Sequence, residues 1–306
     1  MKLNQISAGD AVTQSVVKAI LENASVLQHA QFYSIVGSAS YDRKTASATG
    51  GQFRSLDSDY PLNSVSPVFT NPALRILGDQ VQVDQAHERR GTDVNSVRAL
   101  ELLNFAKNLG KQFQNYLFNG DSMTSSEQFD GLKVLVPSGQ TLVASSNGLA
   151  VVTGSDNTAR TAQQKFLELL DVLIEQTEGA DLLVMDGKTL ARLTTIASSQ
   201  VTVSMNEFGK PVKHYNGVAI TSAGYDKNGT RVIPHTETCG TSSATTSVYA
   251  MKFGAGTDYS IATNSGIEVK DLGVVGPFFT HKVEIDACPV LLNDKSVARL
   301  TGLIIS

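Results

Sequence analysis

Cysteine is nearly absent from this chain of 306 residues: Cys239 and Cys288 are the only two. Their spacing matches no zinc-binding pattern. So low a content fits two free thiols in a reducing compartment rather than a disulfide-stapled secreted domain. Charge is scarce as well. Charged residues make up 18% of the chain, and 25 Lys and Arg against 29 Asp and Glu leave a net charge of −4. There is no basic run, so tight sequence-independent binding to nucleic acid through a basic face is not expected. No apolar run approaches the roughly 18–20 residues that span a bilayer. Met1 to Asp10 contains no secretory apolar core, so nothing points to export. Without a signal peptide, the triplets Asn23-Ala24-Ser25 and Asn228-Gly229-Thr230 carry no weight as glycosylation sites.

Catalytic signatures are equally thin. Asp186-Gly187-Lys188-Thr189 follows an apolar strand and opens a helix, like the second half of a phosphate-binding loop. The full motif needs a glycine five residues before Gly187 to build a cradle of backbone N–H groups, and that position is Leu182. Asp186 therefore reads as a helix cap. His87-Glu88 lacks the second histidine of a zinc-protease motif, because position 91 is Gly91. The five histidines (29, 87, 214, 235, 281) include no pair at ligand spacing on a helix. Asp57-Ser58-Asp59 reads as a solvated turn rather than a cation site. Gly254-x-Gly256 lacks the third glycine and the following helix of a dinucleotide fingerprint. No Gly-x-Ser-x-Gly elbow exists, and neither cysteine has a nearby histidine to activate it. No catalytic, cofactor-binding or metal-binding residue is assigned, and the chain is not expected to be an enzyme.

What is present is a set of long elements around a polar arm. Apolar residues are 41% of the chain, enough for a real core and two subdomains. Val12, Val16, Ile20 and Leu27 predict a helix over about 10–29 on an N-terminal arm. A strand starts at 31–36. Residues 37–72 are rich in Gly, Ser, Thr, Asp and Asn. Ordering three dozen such residues costs on the order of 40–70 kcal/mol of backbone entropy, which a polar segment cannot offset alone. The arm is therefore either disordered or laid on a neighbouring copy. Residues 73–88 alternate in part, Leu74 with Ile76 and Val81 with Val83, with a phase slip at Leu77 and Gly78 that reads as a bulge. Together these segments predict a long β-hairpin with a tip near 45–70 that contains Gly50-Gly51.

An amphipathic helix of roughly 40 Å is predicted over 92–118. It is capped by Thr92 or Asp93 and stopped by Gly120, with Leu102, Phe105, Ala106, Leu109, Phe113, Tyr116 and Leu117 on one stripe. A second helix is predicted over 158–178, with Phe166, Leu169, Leu170, Leu173 and Ile174 inward and Gly179 as terminator. A buried strand, Leu182–Met185, and a helix from about 187 to 198 follow. Beyond 200 the chain predicts short strands, the clearest being Val248–Phe253, Gly266–Val269 and His281–Ile285, with turns at Asn216-Gly217 and Asn228-Gly229. Helix and strand mix without regular alternation and without an internal repeat, so the fold class is α+β.

Three segments carry a resemblance to a known family. One is Tyr116-Leu117-Phe118-Asn119-Gly120-Asp121 with Gln128-Phe129-Asp130-Gly131-Leu132. Another is Phe208-Gly209-Lys210-Pro211 with Tyr215-Asn216-Gly217-Val218-Ala219-Ile220. The third is Val248-Tyr249-Ala250-Met251-Lys252-Phe253-Gly254 with Gly266-Ile267-Glu268-Val269-Lys270-Asp271-Leu272-Gly273. In order and spacing, over about 30–300, the chain resembles the major capsid proteins of tailed bacteriophages, a fold shared with encapsulin shells.

The resemblance implies an N-terminal arm (1–30), an extended loop or E-loop with flanking strands (31–90), and the spine helix of a peripheral P domain (91–129). It further implies an axial A domain (130–265), strands returning to the P domain (266–285) and a final A-domain segment (286–306). It also implies a structural protein of the virion, assembled in the bacterial cytoplasm as pentamers and hexamers around double-stranded DNA without sequence-specific contacts. Scaffold, portal and decoration proteins are the partners it implies, with no membrane. Only about 30 residues precede the hairpin, so the long N-terminal scaffolding segment of many relatives is missing. A separate scaffold, none, or a mature product would account for that. Lys44 lies near the crosslinking lysine of some relatives, with no motif to identify its partners. The alternatives are an encapsulin shell around cargo enzymes and, from another class, a small soluble enzyme or binding module.

Overall fold

The computed structural model describes residues 1–7, 9–35, 42–44, 53–60, 68–70, 72–91, 93–205, 209 and 211–305, with backbone alone for 42–44 and 68–70. A helical turn α1 (Leu3–Ile6) and helix α2 (Ala11–Asn23) come first, then strands β1 (Phe32–Ser34), β2 (Asp42–Lys44), β3 (Val68–Thr70) and β4 (Arg75–Asp84). A turn of helix α3 (Ala86–Arg89) leads to α4 (Val94–Asn119), followed by α5 (Leu132–Leu135) and strands β5 (Thr141–Val143) and β6 (Leu149–Ala150). Helix α6 (Asn157–Gln176), strand β7 (Leu182–Met185) and helix α7 (Gly187–Ile196) follow. The rest is strand: β8 (Val201–Met205), β9 (Pro211–Tyr215), β10 (Val218–Ser222), β11 (Glu237–Cys239), β12 (Ser242–Met251), β13 (Tyr259–Val275), β14 (Phe278–Leu291) and β15 (Val297–Ile304).

Two sheets organise these elements. The larger has nine strands along the path β5-β15-β12-β7-β10-β9-β8, with β11 beside β12 and β6 beside β15. Strand β7 explains its own sequence. Leu183 and Met185 pack with Phe166, Leu170 and Leu173 of α6 and Leu193 of α7. Leu182 and Val184 face the opposite core with Leu117 and Phe118 of α4. A strand buried on both faces reads as a continuous apolar run rather than an alternation. On the α4 side, Phe118 meets the ring of Tyr249 edge-on at 5.3 Å.

The smaller sheet has the order β1-β13-β14-β4. Its β13–β14 ribbon is long, and its register shifts between Thr263 and Ile267 and between Asp271 and Gly273. The glycines there, Gly266 and Gly273, sit at φ +75° and +71°. The bulges therefore lie in β13. Strand β4 pairs with β14 in unbroken register from Arg75 to Asp84, so the bulge expected at Leu77 and Gly78 is absent. The alternation runs unbroken, so Val81 and Val83 share a face as expected and Leu77 joins them. Leu77, Val81 and Val83 face the core, whereas Ile76 points outward, 70% exposed.

Helix α4 begins where expected: Asp93 accepts the Asn95 N–H at 3.2 Å and the Ser96 hydroxyl at 2.5 Å, while Thr92 lies outside the described residues. It ends by a different device. Gly120 is extended (φ −58°, ψ 143°), not left-handed. A Cβ there would lie 2.5 Å from the Phe129 carbonyl and 2.7 Å from that of Tyr116, so glycine is needed for backbone approach. Helix α2 is shorter than the expected 10–29. The Val26 N–H donates to Gln114 Oε1 at 3.0 Å, and Ser25–Gln28 forms a 3-10 turn instead. Helix α6 stops through Glu178 and Gly179, at φ +50° and +109°, and Asn216-Gly217 turns β9 into β10 with both φ positive.

Candidate assembly interface

The polar arm closes as an antiparallel pair: Asp42 opposes Thr70, Arg43 opposes Phe69 and Lys44 opposes Val68. Gly50-Gly51 and residues 36–41, 45–52, 61–67 and 71 of the expected hairpin lie outside the described residues, as does the Lys44 side chain. Between the strands, residues 53–60 form a turn held by its own groups. The Ser58 N–H and hydroxyl both donate to the Ser55 carbonyl, at 3.3 and 2.9 Å. Arg54 donates to the Ser58 carbonyl at 3.2 Å and lies 5.3 Å from the Tyr60 ring centroid. Asp57 takes φ +62°, a conformation that aspartate tolerates better than most residues.

This local closure leaves Phe53, Leu56 and Tyr60 exposed, Phe53 fully. The arm is rich in polar residues, and composition alone does not single out these three large apolar side chains at its turn. Aromatic side chains bury about 150–250 Å² each, and apolar burial returns about 25 cal/mol per Å². An ordered turn that presents such groups to solvent is suited to covering another surface.

The sequence motifs land elsewhere. Asp186 caps α7, accepting the Lys188 N–H at 2.8 Å, and Gly187 starts the helix with no cradle around it. The structure adds two partners the sequence did not reveal. His235 Nε2 lies 2.6 Å from Asp186 Oδ2, and the Arg231 guanidinium pairs with Oδ1. The Asp186 side chain is 2% exposed. Burial alone pushes its carboxyl up, but the bonds from His235, Lys188 and Arg231 together outweigh burial and hold it below the ordinary range. This cluster locks the loop after β10 onto the end of β7.

A second cluster joins α4 to the smaller sheet. Arg98 donates to Asp271 at 2.8 Å and lies 3.3 Å from His281 Nε2. Burial, foremost, holds the His281 imidazole below its ordinary value. His87 and Glu88 are exposed on α3. Asp57 and Asp59 are exposed too, and among the described residues no group of three His, Cys, Asp or Glu is placed to hold a metal. Gly254 and Gly256 lie in the turn between β12 and β13 and open no helix. Cys239 and Cys288 are both free thiols. Burial pushes the Cys288 thiol up to about 12, so it is no nucleophile at neutral pH. No helix among the described residues is long and apolar enough to cross a membrane.

Gln114 also reaches across the fold. Buried in α4, it accepts from Val26 and donates to the Ala223 carbonyl at 2.5 Å, tying the N-terminal segment and the larger sheet to one helix.

No family model matches the sequence, and no curated protein matches it either. Solved structures do match, across nearly the whole chain. The holo-SrpI encapsulin complex from Synechococcus elongatus PCC 7942 aligns with a TM-score of 0.65 at 12% identity, covering 92% of this chain and 88% of that one. The capsid of an empty GTA particle aligns at 0.60 and 14% identity, covering 92% and 90%. Gordonia phage Cozz aligns at 0.57 and 10% identity, covering 91% and 86%.

Proposed function

From its α+β fold, that of tailed-phage major capsid proteins and encapsulins, we propose that the chain is a structural shell subunit, a major capsid protein that self-assembles through pentamers and hexamers into an icosahedral or prolate phage head. The shell would form in the bacterial cytoplasm and enclose double-stranded DNA without sequence-specific contacts. Scaffold, portal and decoration proteins would be its partners. The observation that carries this reading is the turn at 53–60, whose Phe53, Leu56 and Tyr60 the described residues leave uncovered, on a fold known from closed shells. In this reading β2, β3 and the turn belong to the E-loop, α4 is the spine of the P domain, and the larger sheet is the core of the A domain. Nothing in the reading calls for catalysis.

An encapsulin shell around cargo enzymes is the second reading, favoured by the 0.65 TM-score to an encapsulin complex. Nucleic-acid content of purified particles separates the two: packaged DNA supports the phage head, and protein cargo supports the encapsulin. Deleting 45–67 tests the shared premise. The larger sheet should stay folded while particles fail to form; normal particles from that deletion would remove the hairpin from assembly.

A further inference from the structure

The joint between α4 and the smaller sheet sets one carboxylate against two basic groups. Asp271 of β13 and His281 of β14 are directly opposed in the ribbon, and Arg98 of α4 reaches both. Asp271 Oδ2 lies 2.8 Å from the Arg98 guanidinium and 3.7 Å from His281 Nε2, while its Oδ1 accepts the Gly273 N–H at 2.8 Å. The Arg98 guanidinium also lies 4.9 Å from the Phe279 ring centroid. Its Nε is buried and has no hydrogen-bond partner among the described residues. Beside these side chains is a cavity of about 350 Å³, walled by Val12 and Val16 of α2 and by Ala99, Leu102 and Leu103 of α4.

Among the described residues, Asp271 and Arg98 are the charged groups that act on His281. On its other flank β4 presents Val81. Lys270 and Lys282 each stand one residue along from the pair and so point to the opposite face of the sheet. The next ionisable groups along the packed elements, Asp10 and Lys18 on α2, Asp79 on β4 and Glu101 on α4, are exposed. Burial keeps the imidazole neutral at neutral pH, and with its proton on Nδ1 the Nε2 accepts from Arg98. A proton on Nε2 reverses that contact. Two donors and two positive charges then face each other across 3.3 Å, with one carboxylate oxygen to share. Because the folded imidazole sits below its ordinary value, the joint is intact above that ordinary value and weakens as pH falls through it toward the folded one. Asp271 stays ionised over that range, its carboxyl held low by the Gly273 N–H foremost and by Arg98.

We propose that His281 is an acid-operated release for this joint: its protonation drives Arg98 toward the cavity and frees the first turns of α4 from the β13–β14 ribbon. Asp271 keeps His281, its neighbour in the ribbon, and gives up Arg98. The cavity supplies the room, and the Arg98 Nε forfeits no hydrogen bond in leaving. Farther along, α4 stays packed through Leu109, Phe113 and Leu117, so the release is local and not an unfolding. The end of α4 is fixed to the larger sheet through Phe118 and Tyr249, so loosening its start lets the two sheets shift relative to each other. The device belongs to the single subunit and does not rest on the shell reading.

Hydrogen–deuterium exchange of the full chain, read by mass spectrometry, tests it. Amide exchange over 94–103, corrected for its intrinsic pH dependence and referred to α6, should rise more than about fivefold between about pH 7.5 and about pH 5 in the wild type. H281Q keeps an acceptor at this place that does not protonate, and its exchange there should stay flat. In the wild type, exchange of the His281 ring C2 hydrogen gives the titration midpoint of the imidazole, which should coincide with the midpoint of the amide change. R98Q removes the second cation and should move the ring midpoint upward. An acid response in folded H281Q equal to that of the wild type would overturn the release. So would a wild-type amide profile that stays flat while the His281 ring titrates, or a ring midpoint that R98Q leaves unmoved. The paired ring and amide midpoints need only the wild type, so the test stands even where a variant does not fold. Neither measurement depends on particles forming, so failure here and failure of the shell reading are separate results.

Discussion

Gly120 and Gly131 meet backbone to backbone: the Gly131 N–H donates to the Gly120 carbonyl at 2.8 Å, closing the loop between them onto the end of α4. A Cβ on Gly131 would lie 2.7 Å from the Tyr116 carbonyl and 2.8 Å from the Gly120 nitrogen. The end of α4 and the stretch Gln128–Leu132 are thus one structural unit.

Gly131→Ala should therefore force the loop off the helix end. The expected cost is about 1–3 kcal/mol, the range for overpacking a tight site. Urea unfolding of the unassembled subunit measures it. Gly139→Ala, at a glycine with open space around its missing Cβ, is the control and should change little.

Gln114→Leu keeps the volume but removes both hydrogen bonds. The Val26 N–H and the Ala223 carbonyl then lose their partner in a buried site, at about 1–3 kcal/mol for each group. Because Gln114 joins the N-terminal segment to the rest, limited proteolysis should cut before Phe32 earlier in the variant than in the wild type.

Asp186 gives a pH dependence. Its carboxyl is depressed in the folded state, so its contribution is present above the unfolded value and is lost as pH falls through the folded one. Asp186→Asn cannot ionise. The stability gap between wild type and variant should be full at neutral pH and shrink below about pH 4. Its size at neutral pH should be about 1–3 kcal/mol, less than the 3–5 kcal/mol of a broken fully buried pair, because the Arg231 side chain is 29% exposed.

Phe53→Ser with Leu56→Ser separates folding from assembly. Both side chains are exposed, so unfolding of the isolated subunit should stay within about 0.5 kcal/mol of wild type. The shell fraction by sedimentation should fall sharply.

Where one physical signal dominated, the sequence was a sufficient guide. The stripe from Leu102 to Leu117, the cap at Asp93 and the run Leu182–Met185 state their environments locally, and the structure places each accordingly. What failed depends on partners distant in sequence. Ile76 looked like a core residue because alternation does not say which face is buried; that is set by α4 packing on one side of β4. Gly120 looked like a left-handed stop because its true constraint, the Phe129 carbonyl, lies on a returning loop. Asp186 was legible as a cap, but Arg231 and His235 stand 45 and 49 residues away with no motif linking them.

The most direct test of assembly is an electron micrograph of the expressed full-length protein, alone and with a candidate scaffold, under varied salt and concentration. Closed shells of uniform size built from five- and six-fold rings are the expected result. A folded, monodisperse monomer or small oligomer under every one of those conditions would contradict it.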